Sequence, residues 1–171
     1  NFYTAGINRL SIGMQSAQAE ELKNLGRIHD FEGFCQVYRE AVEAGFTNIN
    51  VDIMSGLPGQ TLASYRDTLE KVLHLEPMPQ HISAYSLIVE EGTPFAAMAE
   101  RGELPLPEEE TERAMYEETI EVLAKYGFHR YEISNYARDG YECRHNVGYW
   151  IRRDYLGFGI GAASLIDNVR F

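Results

Sequence analysis

Hydrophobic and polar residues alternate in the first part of one segment of the chain, NINVDIMSGLPGQT. There Ile49, Val51 and Ile53 alternate with the polar residues Asn50 and Asp52. β-Branched residues at every second position favour a strand with one apolar face, because successive side chains of a strand point to opposite faces. A Gly-Pro-Gly loop and a threonine that can cap a helix follow. The segment therefore predicts a strand, a tight loop and a helix in that order.

Further strands and amphipathic helices are indicated along the rest of the chain. Alternation predicts strands, and apolar residues at spacings of three and four predict helices. Besides the central segment, the predicted strands are residues 5–13, 81–89 and 129–136, and the predicted helices are residues 17–25, 30–44, 62–75, 95–101 and 107–126. Residues 137–171 are richer in Gly, Tyr and Arg and have no clear helical period.

The order of these elements indicates an α/β fold. Strands that alternate with helices of ten to twenty residues are typical of βαβ units and a parallel sheet. The strands near Ile7, Ile49 and Ile82 fit part of a (β/α) barrel or an open doubly wound sheet. A closed barrel needs about eight strands, so three form only part of one. We expect the residues after about Phe128 to belong to a second, mixed α+β module.

Composition limits the classes of partner and location. The formal charge of −11 over 171 residues makes a nucleic-acid backbone or an anionic membrane surface a poor main partner. No apolar run approaches the ~20 residues of a membrane span, and no signal peptide is visible. With only two cysteines, a disulfide framework is not indicated and a cytoplasmic location is expected. Because the chain begins at Asn1 without a methionine, we expect it to be a piece of a longer protein.

Asp52 is the first candidate for a functional residue. A carboxylate near the C-terminal end of a parallel strand, just before a Gly/Pro loop, lies where α/β folds bind ligands. The alternative is that Asp52 caps a turn or pairs with a lysine, and position alone favours that alternative. Gln15 lies just past the predicted first strand, and Arg27 follows the short helix after it.

A second candidate is the segment CRHNVGYW, in which Cys143 and His145 precede Tyr149 and Trp150. A Cys-x-His pair can bind a metal, but a zinc site needs about four ligands and a second pair is missing nearby. Imidazole or thiolate can instead serve as an axial ligand of haem. The alternative is a packed turn in which His145 is hydrogen-bonded and Trp150 lies in the core.

The glycine-rich stretch GFGIGA, residues 157–162, superficially resembles a dinucleotide-binding loop. Such a loop opens a helix in a βαβ unit and has an acidic partner ~20 residues later. Only nine residues follow the stretch, so we reject this interpretation. The glycines are instead predicted to let the backbone approach a ligand or another strand closely.

Seven strings in register closely resemble the HemW branch of the HemN/HemW family of radical SAM proteins. They are INRLSIGMQS, LGRIHD, NINVDIMSGLPGQT, HISAYSL, the EEGTP turn, YEISNYA and CRHNVGYW, and together they span nearly all of the chain. HemN, the oxygen-independent coproporphyrinogen III oxidase, shares the NRLS, GxQ and D-x-x-x-GLP core. YEISNYA and HNxxYW resemble the HemW branch, which consists of haem chaperones.

The resemblance implies part of a (β/α)6 TIM-like barrel over residues 1–127 and the start of a small α+β C-terminal domain over residues 128–171. It implies that Gln15, Arg27 and Asp52 bind S-adenosylmethionine, with a backbone contact near Ala163. The chemistry is suitable: an arginine can neutralise the methionyl carboxylate, whereas an amide and a carboxylate can bind ribose hydroxyls. It also implies that His145 is a haem ligand.

The sequence departs from the family at its iron–sulfur motif. The CxxxCxxC that supplies three thiolates to a [4Fe–4S] cluster is expected upstream and is absent from these residues. Cys35 and Cys143 are far apart and cannot replace three closely spaced thiolates. We therefore expect no metal ligand among these residues, and we expect the chain alone to be inactive.

The implied function is that of a chaperone that binds haem, a [4Fe–4S] cluster and S-adenosylmethionine and delivers haem to apo-haemoproteins. The alternative is an oxygen-independent coproporphyrinogen III oxidase, so whether the protein is an enzyme stays open. A third interpretation is a metal-free binding or structural module. The expected partners are haem or a porphyrin and haemoprotein recipients, without nucleic acid. The resemblance leaves open a membrane-associated client and a homodimer.

Overall fold

The computed structural model describes residues 2–171, which form two compact units, residues 2–141 and residues 142–171. The elements of the first unit are β1 (Leu10–Gln15), α1 (Ala19–Asn24), α2 (Phe31–Glu43), β2 (Ile49–Ser55), α3 (Leu62–Leu73), β3 (His81–Ser86), α4 (Pro94–Glu100), α5 (Glu109–Lys125), β4 (His129–Arg130) and β5 (Asn135–Ala137). The elements of the second unit are α6 (Arg144–Trp150), β6 (Leu165–Ile166) and β7 (Val169–Arg170).

The first unit contains a mixed five-stranded sheet in the order β1-β2-β3-β5-β4. Strands β1, β2 and β3 are parallel and are connected through helices, which confirms the predicted α/β fold with parallel strands. Strand β5 is antiparallel to β3, and β4 is antiparallel to β5. The predicted boundary between residues 127 and 128 stays a prediction, and the two strands that follow it belong to this same sheet.

The apolar face of β2 forms the centre of the core. Ile49, Val51 and Ile53 are at most 1% exposed and pack with the apolar side chains of α2 and α3, among them Tyr38 and Leu69. Burying a large aliphatic side chain contributes about 1.5–3 kcal/mol, so this row is a main source of stability. The alternation seen in the sequence is therefore the division of β2 into a core face and a polar face.

Two helix starts that the sequence predicts are confirmed by their capping bonds. Asp30 accepts a hydrogen bond from the backbone N–H of Gly33 at 2.8 Å at the start of α2. At the start of α3, Thr61 accepts from the N–H of Ser64, whose hydroxyl accepts from the N–H of Thr61. These bonds satisfy donors that the first turn of a helix leaves without partners.

Two predicted strands are wrong in their extent. The first begins at Leu10 rather than Ala5, because the preceding residues form turns with a bond from Ala5 N–H to the Phe2 carbonyl. The predicted strand 129–136 is divided into β4 and β5, which run antiparallel. Alternating sequence patterns do not distinguish a continuous strand from a tight reversal when the turn lacks glycine and proline.

The prediction missed α6, and it placed the start of α5 two residues too early. Pro107 precedes the N-cap Glu108 and so lies outside the first helical turn. Helix α6 has only seven residues, and none of its side chains is fully buried. A helix of two turns without a buried stripe leaves no apolar period in the sequence.

The second unit shows why glycine occurs at position 157. A Cβ atom at Gly157 would lie 2.3 Å from the carbonyl oxygen of Ala163, closer than two such atoms can approach. The backbone N–H of Gly157 also donates to the Ser164 hydroxyl at 3.1 Å. The prediction that this glycine-rich stretch permits close approach of another backbone segment is confirmed at this position.

No helix within residues 2–171 is both long enough and apolar enough to cross a membrane.

A buried carboxylate joins two loops at the C-terminal ends of β1 and β2. Glu21 of α1 is 5% exposed. Its carboxylate accepts bonds from the hydroxyls of Ser16 and Ser64, both at 2.6 Å, and from the side-chain amide of Gln60 at 3.0 Å. All three donors are neutral, and hydrogen bonds to a charged acceptor are about twice as strong as those between neutral groups. This network attaches α1 to the loop before α3 and to α3 itself.

We predict that Glu21→Ala lowers the free energy of unfolding by about 2–3 kcal/mol, because three buried or half-buried donors lose their acceptor. Urea denaturation followed by circular dichroism measures the change. The matched control is Glu20→Ala, in the same turn, where the side chain is 81% exposed and pairs with Lys23 at 3.5 Å. The control should change the free energy by less than about 0.5 kcal/mol. Equal effects of both substitutions would contradict a special role for Glu21.

Candidate functional site

Polar side chains cover one face of the sheet, opposite the helices. The strand register aligns Ser11, Asn50 and His81 in one row across β1, β2 and β3. The next row consists of Gly13, Asp52, Ser83 and Asn135, which belong to β1, β2, β3 and β5. Because side chains at alternate positions share a face, both rows lie on the same side of the sheet.

Asp52 lies in the middle of β2 rather than at its C-terminal end, which corrects the predicted position. One carboxylate oxygen accepts from the Ser11 hydroxyl at 2.9 Å, and the other accepts from the Asn50 side-chain amide at 2.7 Å. The alternative that Asp52 caps a turn is therefore wrong. A carboxylate has about four lone-pair sites, so two internal bonds leave capacity for a ligand. Asp52 is half-buried.

Asn50 is the centre of the hydrogen-bond network on this face. Its amide nitrogen lies 2.6 Å from the Ser11 hydroxyl and 2.7 Å from Asp52. Its amide oxygen lies 2.6 Å from Nδ1 of His81 and 3.1 Å from the Ser83 hydroxyl. The side chain of Asn50 is buried and uses all of its donors, so its orientation is determined by its neighbours.

His81 is fully buried and lies between Asn50 and Tyr131. Its Nε2 is 2.8 Å from the Tyr131 hydroxyl. Burial, and to a smaller extent the positive charge of Arg9, lowers the pKa of His81 to about 3. The ring is consequently neutral at physiological pH. His81 is therefore a buried residue whose two ring nitrogens both have hydrogen-bond partners.

Gln15 adjoins the row that contains Asp52. It has a backbone φ of +68°, and its side-chain Nε2 lies only 2.7 Å from where a Cβ of Gly13 would stand. Gly13 is the register partner of Asp52 in β2. Because Gly13 has no side chain, the Gln15 amide can lie against β1 at Gly13, the position that pairs with Asp52 of β2.

Arg27 is exposed in the loop after α1. Two residues later, Nε2 of His29 is 3.1 Å from the backbone carbonyl of Met14, the residue before Gln15. The loop that contains Arg27 thus passes beside the C-terminal end of β1. That Arg27, Gln15 and Asp52 bind one ligand together stays a prediction.

The other predicted site residues belong to the second unit. His145 lies in α6, with its ring edge-to-face against Tyr149 at 4.7 Å between centroids. Tyr149 in turn lies edge-to-face against Tyr155, with 4.8 Å between the ring centroids. These rings, with neighbouring residues, line a pocket of about 280 Å³. Trp150 is 53% exposed. The alternative that its side chain lies in a core is therefore wrong.

The residues present do not fit a [4Fe–4S] cluster. Across residues 2–171, no three His, Cys, Asp or Glu side chains are grouped as a metal site requires. The two cysteines, Cys35 and Cys143, lie in different units. Burial raises the pKa of the Cys35 thiol, an effect that Arg39 partly opposes, and a raised pKa disfavours the thiolate that binds iron.

Sequence reasoning missed most of the polar face. The pattern singled out Asp52 but not the residues that hydrogen-bond around it, namely Ser11, Asn50, His81, Ser83, Tyr131 and Asn135. The available signal was alternation: Asn50 and Asp52 on β2, and His81 and Ser83 on β3, are polar residues two positions apart. Polar residues on matching faces of adjacent parallel strands indicate a hydrogen-bonded polar layer rather than an apolar core.

Comparisons with known proteins agree on one superfamily. A family model described as the radical SAM superfamily matches residues 2–72. The heme chaperone HemW of Bacillus subtilis is 42% identical over 166 residues, which is 97% of this chain and 43% of that protein. The mitochondrial radical S-adenosyl methionine domain-containing protein 1 of Danio rerio is 41% identical over 162 residues, which is 95% of this chain and 36% of that protein. The chain spans less than half the length of these relatives.

A solved structure has a similar fold. Coproporphyrinogen III oxidase, HemN, from Escherichia coli, described as a radical SAM enzyme, matches 96% of this chain and 40% of its own. The TM-score is 0.77 at 26% sequence identity. The parallel strands of the first unit therefore form part of a TIM-like radical SAM fold. From these relatives and this fold, we conclude that the chain belongs to the HemN/HemW family of radical SAM proteins.

Proposed function

We propose that the polar face of the sheet binds S-adenosylmethionine and that the full-length protein is a radical SAM haem chaperone. The observation that supports this most directly is the geometry of Asp52. Its carboxylate is oriented by Ser11 and Asn50 and retains free lone pairs. A carboxylate of this kind can accept bonds from the two hydroxyls of a ribose.

The neighbouring residues supply complementary chemistry. The amide of Gln15, which is next to the row of Asp52, can donate to a ribose oxygen or accept from a hydroxyl. The guanidinium of Arg27 can form a bidentate bond with the methionyl carboxylate. The backbone contact near Ala163, a residue of the second unit, stays a prediction. Bound S-adenosylmethionine would supply the radical chemistry of the superfamily, and these residues would bind and orient it.

We also propose that the second unit contacts haem through α6. His145 offers an imidazole nitrogen, and Cys143 offers a thiolate, as axial ligands. Tyr149 and Tyr155, together with exposed Trp150, present aromatic faces next to this helix, and such faces can stack on a porphyrin. The recipients would be apo-haemoproteins, and the expected location is the cytoplasm.

The second candidate function is oxidative decarboxylation of coproporphyrinogen III. The structural similarity to HemN at a TM-score of 0.77 favours it, whereas the relatives named heme chaperone HemW favour the first proposal. Anaerobic incubation of the full-length protein with coproporphyrinogen III and S-adenosylmethionine, followed by chromatography of the porphyrins, separates the two. Formation of a doubly decarboxylated product would support the oxidase, and its absence, with haem transferred to an apoprotein, would support the chaperone.

We predict that Asp52→Ala in the full-length protein weakens S-adenosylmethionine binding by about 1–3 kcal/mol, the usual cost of leaving ligand hydroxyls without a partner. Isothermal titration calorimetry under anaerobic conditions measures the affinity. The control is Asp139→Ala, which removes a carboxylate with a fully exposed side chain. We expect the control to bind with wild-type affinity. Unchanged affinity in Asp52→Ala would reject the proposed site.

We predict that His145→Ala or Cys143→Ser changes the Soret band of the haem complex, because loss of an axial ligand alters the ligand field of the iron. Haem titration of the full-length protein, followed by absorption spectroscopy, tests this. His129→Ala, a half-exposed histidine of the first unit, is the control. If both variants of α6 keep the wild-type spectrum and affinity, the segment is structural and the haem ligand lies elsewhere.

We predict that the 171-residue chain alone stays colourless after anaerobic reconstitution with iron and sulfide. It contains two cysteines, whereas a radical SAM cluster needs three closely spaced thiolates. Absorption spectroscopy and iron analysis of the desalted protein provide the measurement, with the full-length protein as positive control. A stoichiometric absorption band of a four-iron cluster in the short chain would contradict the prediction.

A further inference from the structure

The hydrogen bonds around Asn50 determine which way its side-chain amide points. An ionised carboxylate accepts hydrogen bonds and cannot donate them. The atom of Asn50 that lies 2.7 Å from Asp52 must therefore be the NH₂ group. This leaves the amide oxygen directed to the opposite side, 2.6 Å from Nδ1 of His81. The reverse orientation would place two acceptors against each other at Asp52.

The orientation of Asn50 in turn determines the tautomer of His81. An amide oxygen only accepts, so Nδ1 of His81 must have the proton. The other ring nitrogen, Nε2, is then an acceptor, and the Tyr131 hydroxyl at 2.8 Å is its donor. Burial keeps the ring neutral, with a pKa of about 3. One directed chain of bonds thus runs from Tyr131 through His81 and Asn50 to Asp52.

His81 is the principal donor to the Asn50 oxygen. The Ser83 hydroxyl also faces that oxygen, at 3.1 Å, but it lies closer to the side-chain oxygen of Asn135, at 2.7 Å. A hydroxyl has one proton to donate. The shorter bond to Asn135 engages the proton of Ser83, so His81 is the main donor that holds the side-chain oxygen of Asn50.

We propose that His81 is a positioning residue that acts through Asn50 to hold the carboxylate of Asp52 in its ligand-binding orientation. The inference rests on the proposed function, because its consequence is expressed through the affinity for S-adenosylmethionine. His81 does not touch the ligand in this scheme. Its Nδ1–H fixes the amide of Asn50. That amide and the Ser11 hydroxyl each donate to one carboxylate oxygen of Asp52, and the remaining lone pairs of both oxygens are left for the ribose.

Two substitutions at position 81 separate positioning from packing. The side-chain nitrogen of asparagine can occupy the place of Nδ1, whereas the terminal group of glutamine reaches the place of Nε2. His81→Asn therefore keeps the donor to Asn50 and loses the bond to Tyr131. His81→Gln keeps a group for Tyr131 and loses the donor to Asn50. Both variants lose the imidazole ring, so each serves as the other's control for packing.

We expect His81→Asn to bind S-adenosylmethionine within about twofold of the wild-type affinity and His81→Gln to bind about 3- to 10-fold more weakly, the worth of one hydrogen bond. Anaerobic calorimetry on the full-length protein measures both, with thermal melting to compare their stability. Equal affinities of the two variants, whether both unchanged or both weakened, would overturn the inference. So would weaker binding by His81→Asn than by His81→Gln.

A second measurement does not depend on the ligand. Nitrogen chemical shifts in isotope-labelled histidine distinguish the Nδ1–H tautomer from the Nε2–H tautomer, and His81→Asn identifies the signal by its loss. We expect the Nδ1–H tautomer for His81, and the Nε2–H tautomer would overturn the inference. The two proposals are rejected by different results. Unchanged S-adenosylmethionine affinity in Asp52→Ala rejects the proposed site. Weakened affinity in Asp52→Ala, together with equal affinities of the two His81 variants, rejects only the role of His81.

Discussion

The polar groups enclosed on one face of the sheet must find their hydrogen-bond partners within that face. An unsatisfied buried donor or acceptor costs about 1–3 kcal/mol, and Asn50 brings three such groups into the middle of the network. Its partners come from three strands: Ser11 on β1, Asp52 on β2 and His81 on β3. A shift of one residue between any two strands would direct these side chains to opposite faces. The network therefore specifies the register of the parallel strands.

The same constraint operates at the ends of the strands. The carboxylate of Glu21 accepts from Ser16 after β1 and from Gln60 after β2. Gln60 also donates to the Met54 carbonyl and accepts from the N–H of Leu57, so the loop after β2 is fixed from within. These hydrogen bonds connect the loop after β1 to the loop after β2. They therefore restrain the C-terminal end of β1, where Gln15 lies.

The sequence alone predicts the helices and strands that depend on interactions between residues close together in the chain. The caps at Asp30 and Thr61 are bonds between residues three positions apart, and the alternation of Ile49 and Val51 with polar residues reports the two faces of β2 directly. Such interactions are visible in a short window of sequence. The division into parallel strands and covering helices follows from them.

The candidate site depended on interactions that a short window does not show. The bond from Ser11 to Asp52 joins residues 41 positions apart, and the bond from His81 to Tyr131 joins residues 50 apart. A single sequence shows that His81 is polar and begins a predicted strand. It does not show which partner satisfies the ring. For Asp52, alternation placed the carboxylate on the polar face, but only the register identified Asn50 and Ser11 as its partners.

The character of those partners has a consequence for ligand binding. Both groups bonded to Asp52 are neutral, so they orient the carboxylate without neutralising its charge, as an arginine or lysine would. At the proposed site, this charge would attract a ligand that offers hydroxyl donors near a positive centre. Because the bonds from Ser11 and Asn50 exist before any ligand arrives, little side-chain order must be created on binding, and this preorganisation increases affinity. The half-buried carboxylate of Asp52 is in this way preorganised for the cationic ligand that we propose.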